Sequence, residues 1–143
     1  MLIHNKIAVV VPVYSAEKIL DELCSRLTFN LSQITDSFEI ILVDDSSSDS
    51  SWIKIKENTL KDDRIKGFLL SRNFGQHHAI TAGIDKADAE WVVVMDCDLQ
   101  DRPEEIAELY NKALEGFDIV LASRQNRKDN FLKKTSSKLF YII

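Results

Sequence analysis

Residues 92–101, Val92-Val93-Val94-Met95-Asp96-Cys97-Asp98-Leu99-Gln100-Asp101, run from a β-branched block straight into three carboxylates and an amide. The block lacks the polar alternation of a half-exposed strand, so it reads as a strand buried on both faces. Such strands belong to parallel sheets with helices above and below. Crowding Asp96, Asp98 and Asp101 at the end of that strand costs stability through like-charge repulsion unless something cationic sits among them. The stretch therefore raises the fold and the ligand together.

Working outward, 7–13, 38–43, 65–70 and 118–122 share the apolar character of 91–95, and segments with helical spacing (16–31, 50–60, 75–87 and 104–114) separate them. Ser48-Asp49-Ser50-Ser51 suits a helix start, and Asp101 with Glu104 three residues later fits a capping box, with Pro103 in the first turn. Gly116 suits a helix stop. Strict βα alternation predicts an α/β fold, a three-layer αβα sandwich with a mainly parallel sheet. The chain contains no repeats and no low-complexity linker, so 1–143 reads as one domain, with 124–143 a basic amphipathic segment at its end.

The chain has 143 residues, 45% of them apolar, enough for a single core. Its net charge of −5 argues against a nucleic-acid binder. Segment 124–143 carries Arg124, Arg127, Lys128, Lys133, Lys134 and Lys138 against Asp129 alone, so the acidic excess lies entirely in the first 123 residues. A basic tail on an acidic body suits an anionic partner, phosphate or a membrane surface, or equally a solvated helix face. Cys24 and Cys97 lack metal or redox spacing and read as buried thiols in a reducing compartment. No run reaches the ~20 apolar residues of a spanning helix. The chain ends at Leu139-Phe140-Tyr141-Ile142-Ile143 without a stop signal, which leads us to expect a longer parent protein.

Polar clusters follow all five expected strands: Pro12 to Ser15, Asp44 to Asp49, Ser71 to Gly75, Asp96 to Asp98, and Ser123-Arg124. The carboxyl ends of parallel strands are where such folds bind ligands. Neither GxGxxG nor GxxxxGK[ST] is present, which argues against a dinucleotide loop and a P-loop. Asp96 and Asp98, joined by the Gln100 amide, offer hard oxygen ligands suited to Mg²⁺ or Mn²⁺, which takes its remaining ligands from a diphosphate. For Asp101 the capping role suffices. Asp44 or Asp45 can accept hydrogen bonds from a nucleobase N–H or from ribose hydroxyls. Arg72 can pair with phosphate or with a neighbouring carboxylate, and the sequence leaves both open. His77 and His78 are adjacent and do not share a helix face, so they are not joint metal ligands. Gly75 suits a close backbone approach or a helix start.

With VVVPVY, IILVDDSSSD, LSRNFGQHHAITAG, VVVMDCDLQDRPEEI and SRQNRKDNFLKKTSSKLFY in this order, the chain resembles family-2 glycosyltransferases, most of all those acting on polyprenyl phosphates. The resemblance implies the nucleotide-diphospho-sugar transferase (GT-A, Rossmann-like) fold and an inverting transfer from a UDP- or GDP-linked sugar to a polyprenyl phosphate. The alternatives are transfer to a saccharide hydroxyl, or a fragment that binds nucleotide without transfer. It implies that Pro12, Tyr14 and Asp44 help hold the base and ribose, and we expect Asp45, Arg72 and Asp96 at the same nucleotide-sugar site. Asp96, Asp98 and Gln100 would hold the metal, and Asp98, Arg124 and Arg127 would serve the reaction. It further implies work at the cytoplasmic face of a membrane through a part beyond residue 143, and leaves a homo-oligomer open. Two positions depart from the family pattern. Ser15-Ala16 replaces the usual Asn-Glu, leaving a base contact from Glu17 in question, and Cys97 stands where alanine or glycine is usual.

Overall fold

A computed structural model of the chain describes residues 5–123 and 141–142. Strands β1 (Ile7–Val13) and β2 (Phe38–Asp44) are buried at every position. Their side chains alternate between two helical layers. Ile7, Val9, Val11, Val13, Ile40 and Leu42 enter the larger core, while Ala8, Val10, Ile41 and Val43 enter the smaller one. That two-sided burial explains why the sequence runs apolar without alternation.

The larger layer contains α1 (Leu20–Ile34), α2 (Ser51–Lys61) and α4 (Ile106–Ala113), the last preceded by a 3₁₀ turn over Pro103–Glu105. Helix α1 buries Leu20, Leu23, Cys24, Leu27 and Leu31, a stripe at three- and four-residue spacing. Each fully buried leucine contributes about 1.5–3 kcal/mol. On the opposite face α3 (Gln76–Lys86) lies close to the sheet, with buried Ala79 and Gly83 turned inward. A Cβ at Gly83 would collide with Val10 Cγ1 and lie 3.2 Å from Val43 Cγ2, so only glycine permits this approach.

The sheet order is β3-β2-β1-β4-β5, with β3 spanning Ile65–Leu69, β4 Trp91–Val94 and β5 Tyr141–Ile142. The first four strands are parallel, and β5 pairs antiparallel with β4, Val93 opposite Ile142 and Val94 opposite Tyr141. The expected strand at 118–122 is a correction. Only Val120 forms an isolated bridge there, and it is buried between Ile119 and Leu121, which are 54% and 45% exposed. A run with a single inward residue cannot serve as a strand covered on both faces, and the ladder edge of β4 is taken by β5.

Helix α1 starts a turn later than its spacing suggests, because residues 15–17 are drawn into a loop against α2. The amides of Ala16 and Glu17 donate to Ser51 Oγ (2.8 Å) and Asp49 Oδ2 (3.3 Å). Glu17 Oε2 in return accepts the Ser50 N–H at 2.8 Å. Acidic groups thus satisfy the open amides at the start of α2 from both sides. At the amino edge of the sheet, buried Glu39 accepts Lys66 Nζ (2.6 Å) and the Asp88 N–H (2.8 Å), with Lys6 Nζ at 3.4 Å. Burial pushes its pKa up, but the Lys66 hydrogen bond, the Asp88 amide and the two lysine charges outweigh burial and bring it below the ordinary value.

Candidate functional site

Each of the four loops leaving the carboxyl ends of β1 to β4 contains a residue in the left-handed region: Ser15 (φ 51°), Ser46 (φ 59°), Gly75 (φ 98°) and Leu99 (φ 58°). For the three non-glycine residues this conformation is uncommon and costs free energy that the surrounding structure must offset. Hydrogen bonds between loops do so. Asp44 Oδ1 accepts both the N–H and the hydroxyl of Ser47 (2.9 and 2.6 Å), and Ser47 Oγ accepts the Ser15 N–H at 2.9 Å. The β1 and β2 loops are thereby fixed to each other.

Asp44 is fully buried, and its second oxygen, Oδ2, has no hydrogen-bond partner among the described residues. Asp45, also buried, is committed to the β3–α3 loop: Oδ1 accepts the Phe74 N–H (2.8 Å) and Oδ2 the Gly75 N–H (2.9 Å). Arg72 is exposed, with its guanidinium 4.6 Å from the centre of the Phe74 ring. Of the two partners open to it from sequence, no described carboxylate lies within ion-pair distance.

After β4, oxygens of Asp96, Asp98 and Asp101 all lie within 4.8 Å of one another. The turn closes through two backbone bonds, Gln100 N–H to Asp98 Oδ1 and Asp96 N–H to Asp101 Oδ2, each 3.1 Å. Asp96 Oδ1 also accepts Gln76 Nε2 at 2.6 Å. Three carboxylates converging at a strand end form an oxygen-only donor set, the chemistry of a hard divalent ion such as Mg²⁺ or Mn²⁺. Cys97 between them is half-buried, and burial pushes its thiol pKa above the ordinary value, beyond what backbone hydrogen bonding offsets.

A cavity of about 310 Å³ opens among these loops, lined by Pro12, Tyr14, Asp45, Asn73, Gln76 and Asp96, with Cys97 and Asp98 on the same wall. The structure thus brings Pro12, Tyr14, Asp45, Asp96 and Asp98 together around one space, with Asp44 directly before Asp45 on β2. Gln100 borders a second cleft, between β4 and α4. Arg124 and Arg127, and with them the basic segment 124–143 apart from the backbone of 141–142, lie outside the described residues.

Two residues escaped the reading of the sequence. Asp101 had been given only the capping role, yet the 3₁₀ turn has Arg102 as its N-cap, without a side-chain cap bond, and Asp101 joins the carboxylate cluster. Gln76 reaches Asp96 across twenty residues of chain. Only the left-handed turn at Leu99 and the position of α3 reveal these contacts.

The sequence profile of glycosyl transferase family 2 matches residues 8–142. The undecaprenyl-phosphate 4-deoxy-4-formamido-L-arabinose transferase of Proteus mirabilis (strain HI4320) is 43% identical over 136 residues, covering 94% of this chain and 42% of that protein. The chain therefore spans about two fifths of the length of such curated relatives. Among solved structures, the mannosyltransferase PcManGT from Pyrobaculum calidifontis, in complex with GDP-Man and Mn²⁺, superposes with a TM-score of 0.69 at 21% identity. That match covers 87% of this chain and 36% of the other. S. aureus TarS 1-349 in complex with UDP gives 0.61 at 25% identity, covering 90% and 38%. These likenesses establish the GT-A glycosyltransferase fold for the described sheet and helices.

Proposed function

The chain belongs to glycosyl transferase family 2, and from that premise we propose that it forms the nucleotide-sugar-binding part of an inverting transferase that moves a sugar from a UDP- or GDP-linked donor to a polyprenyl phosphate. The observation that carries this reading is the convergence of Asp96, Asp98 and Asp101 within 4.8 Å at the end of β4, beside a cavity lined by Pro12 and Tyr14. The names of the relatives, which couple an undecaprenyl phosphate to an arabinose derivative, support the acceptor class.

In this reading Pro12, Tyr14 and Asp44 hold base and ribose, with Asp44 Oδ2 accepting a ligand N–H or O–H. Asp45 holds the loop carrying Arg72 and Asn73, and Arg72 meets donor phosphate. Asp96 and Asp98, with Asp101 and with Gln100 at the margin, hold Mg²⁺ or Mn²⁺. When bound, the ion neutralises charge growing on the departing diphosphate. A phosphate acceptor is already ionised near neutral pH and needs no general base, so positioning by cationic groups is sufficient; Arg124 and Arg127 are assigned that part. Attack from the side opposite the leaving group inverts the anomeric centre. Among the described residues no helix is long and apolar enough to cross a membrane, and the lipid-linked acceptor places the reaction at a membrane face.

The test is calorimetric titration of UDP and GDP, with and without Mn²⁺, into the parent chain and into Asp96→Ala and Asp98→Ala. Manganese-dependent binding lost in both variants supports the donor site, and binding indifferent to both substitutions refutes it. Transfer of labelled sugar by the protein to undecaprenyl phosphate supports the acceptor assignment; transfer only to a saccharide hydroxyl overturns it.

A further inference from the structure

Gln76 is the first residue of α3, and its Nε2 donates to Asp96 Oδ1 at 2.6 Å. The backbone that aims it is held firmly. Gly75, at φ 98°, precedes it, and the amides of Phe74 and Gly75 are clamped by the two oxygens of buried Asp45. The His78 and Ala79 amides in turn donate to Gly75 O at 3.1 and 3.3 Å, closing the first turn of α3. A run of hydrogen bonds therefore leads from Asp45, just past β2, through the 71–75 loop to a side chain on the cavity wall that holds the Asp96 carboxylate.

A carboxylate held through one oxygen presents the other in a fixed direction, and outer hydrogen-bond partners of this kind set the orientation of metal ligands. We propose that Gln76 is a positioning residue for Asp96, orienting that carboxylate for the divalent ion and linking the ion site to the loop that carries Arg72 and Asn73. The inference rests on the ion-site reading given above and adds to it a residue on a different element.

The experiment measures Mn²⁺ binding by the electron paramagnetic resonance signal of the free ion, in the presence of UDP and, separately, GDP. It compares the parent chain with Gln76→Leu, Gln76→Glu and Asp96→Ala, and records each thermal unfolding curve in EDTA and in Mn²⁺. Gln76→Leu keeps bulk but removes the donor, and its Mn²⁺ affinity is expected to fall roughly 10- to 100-fold. Gln76→Glu adds a charge that favours a helix N-terminus but sets a second carboxylate against Asp96, so repulsion makes it unfold below Gln76→Leu in EDTA whichever role Gln76 has. The positioning role predicts that Mn²⁺ restores this loss and that Gln76→Leu gains less from Mn²⁺ than the parent does; a purely structural role predicts equal Mn²⁺ stabilisation of the parent and Gln76→Leu. Mn²⁺ binding that Asp96→Ala abolishes but Gln76→Leu leaves within about twofold of the parent overturns this inference alone. Absence of Mn²⁺ binding by the parent, or binding that Asp96→Ala leaves unchanged, overturns the ion-site reading and this inference with it.

Discussion

Replacing Asp44 by asparagine should make the protein more stable and its nucleotide binding weaker. Asparagine matches aspartate in shape, and its carbonyl oxygen can keep both hydrogen bonds that Oδ1 accepts from Ser47. What changes is the other atom. Oδ2 is a fully buried carboxylate oxygen without a partner among the described residues, and a buried unsatisfied group costs about 1–3 kcal/mol, more when charged. The substitution replaces that carboxylate oxygen by a neutral amide nitrogen, which is less costly to bury. The gain is therefore a fraction of the full penalty, about 1 kcal/mol, or a rise in Tm of roughly 3–5 °C for a domain of this size. Binding moves the other way. A hydrogen bond from a ligand to a charged acceptor contributes about 1.5–3 kcal/mol, so losing it weakens nucleotide affinity roughly 10- to 150-fold. Urea unfolding without nucleotide and calorimetric titration of UDP and GDP with Mn²⁺ read the two effects separately. A variant that unfolds earlier than the parent, or that binds both nucleotides with parental affinity, would refute the reasoning, since it would mean that Oδ2 is already satisfied or that no ligand reaches it.

Gly83→Ala sets a helix-propensity gain of about 0.5–1 kcal/mol against overpacking of Val10 and Val43 at about 1–3 kcal/mol. Overpacking wins, and the unfolding free energy should fall by a net ~1 kcal/mol, whereas a denaturation midpoint at or above the parental value contradicts the close packing of α3. The Arg26 fork, Nε to Oε1 at 2.9 Å and Nη2 to Oε2 at 2.6 Å, lowers the Glu104 pKa from an ordinary 4.5 to about 2. A lowered carboxylate pKa adds stability that is complete above about pH 4.5 and is lost as the pH falls toward 2. The Tm difference between the parent and Arg26→Met should therefore be largest near neutrality and shrink through that window. Because Glu104 is half-exposed, the difference should also diminish in high salt; a gap that is flat with pH shows that Arg26 acts by packing alone.

How much could be read in advance depended on whether a residue's role was local. Strands β1 and β2 were legible because both of their faces are buried, which leaves an unbroken apolar run. The helices were legible from stripes such as Leu20, Leu23, Leu27 and Leu31, and the carboxylates from their position just past those strands. The run at 118–122 looked alike in composition but has only Val120 inside, and whether β4 would receive that segment or residues 141–142 on its edge is a question of pairing over tens of residues. Asp101 was hidden by a sound local alternative, since an acid three residues before a glutamate at a helix start suggests a cap. Its approach to Asp96 requires the left-handed turn at Leu99, which no leucine signals in advance. Glu17 shows the same limit from the other side, because its carboxylate meets the Ser50 amide, a partner 33 residues away.

Strand β2 itself contains an internal control for the idea that its carboxyl end is built for a ligand. It buries two acids on one strand, Glu39 near its start and Asp44 at its end, both almost without exposure. Glu39 is matched: two lysines and a backbone amide surround it, and together they outweigh the cost of burial. The fold is therefore able to satisfy a buried carboxylate on this strand with its own groups. At Asp44 the described residues satisfy one oxygen and leave the other, while the adjacent Asp45 has both oxygens engaged by loop amides. A deficiency confined to one oxygen, at the ligand-binding edge of a parallel sheet and next to the residue that holds the β3–α3 loop, is what an acceptor reserved for an external donor looks like. The same contrast predicts opposite outcomes for the same chemistry. Glu39→Gln removes a charge that two lysines need and should destabilise the chain, whereas Asp44→Asn changes an oxygen that no described residue engages. If both substitutions destabilise equally in the absence of nucleotide, the distinction between a structural and a ligand-facing acid on β2 fails.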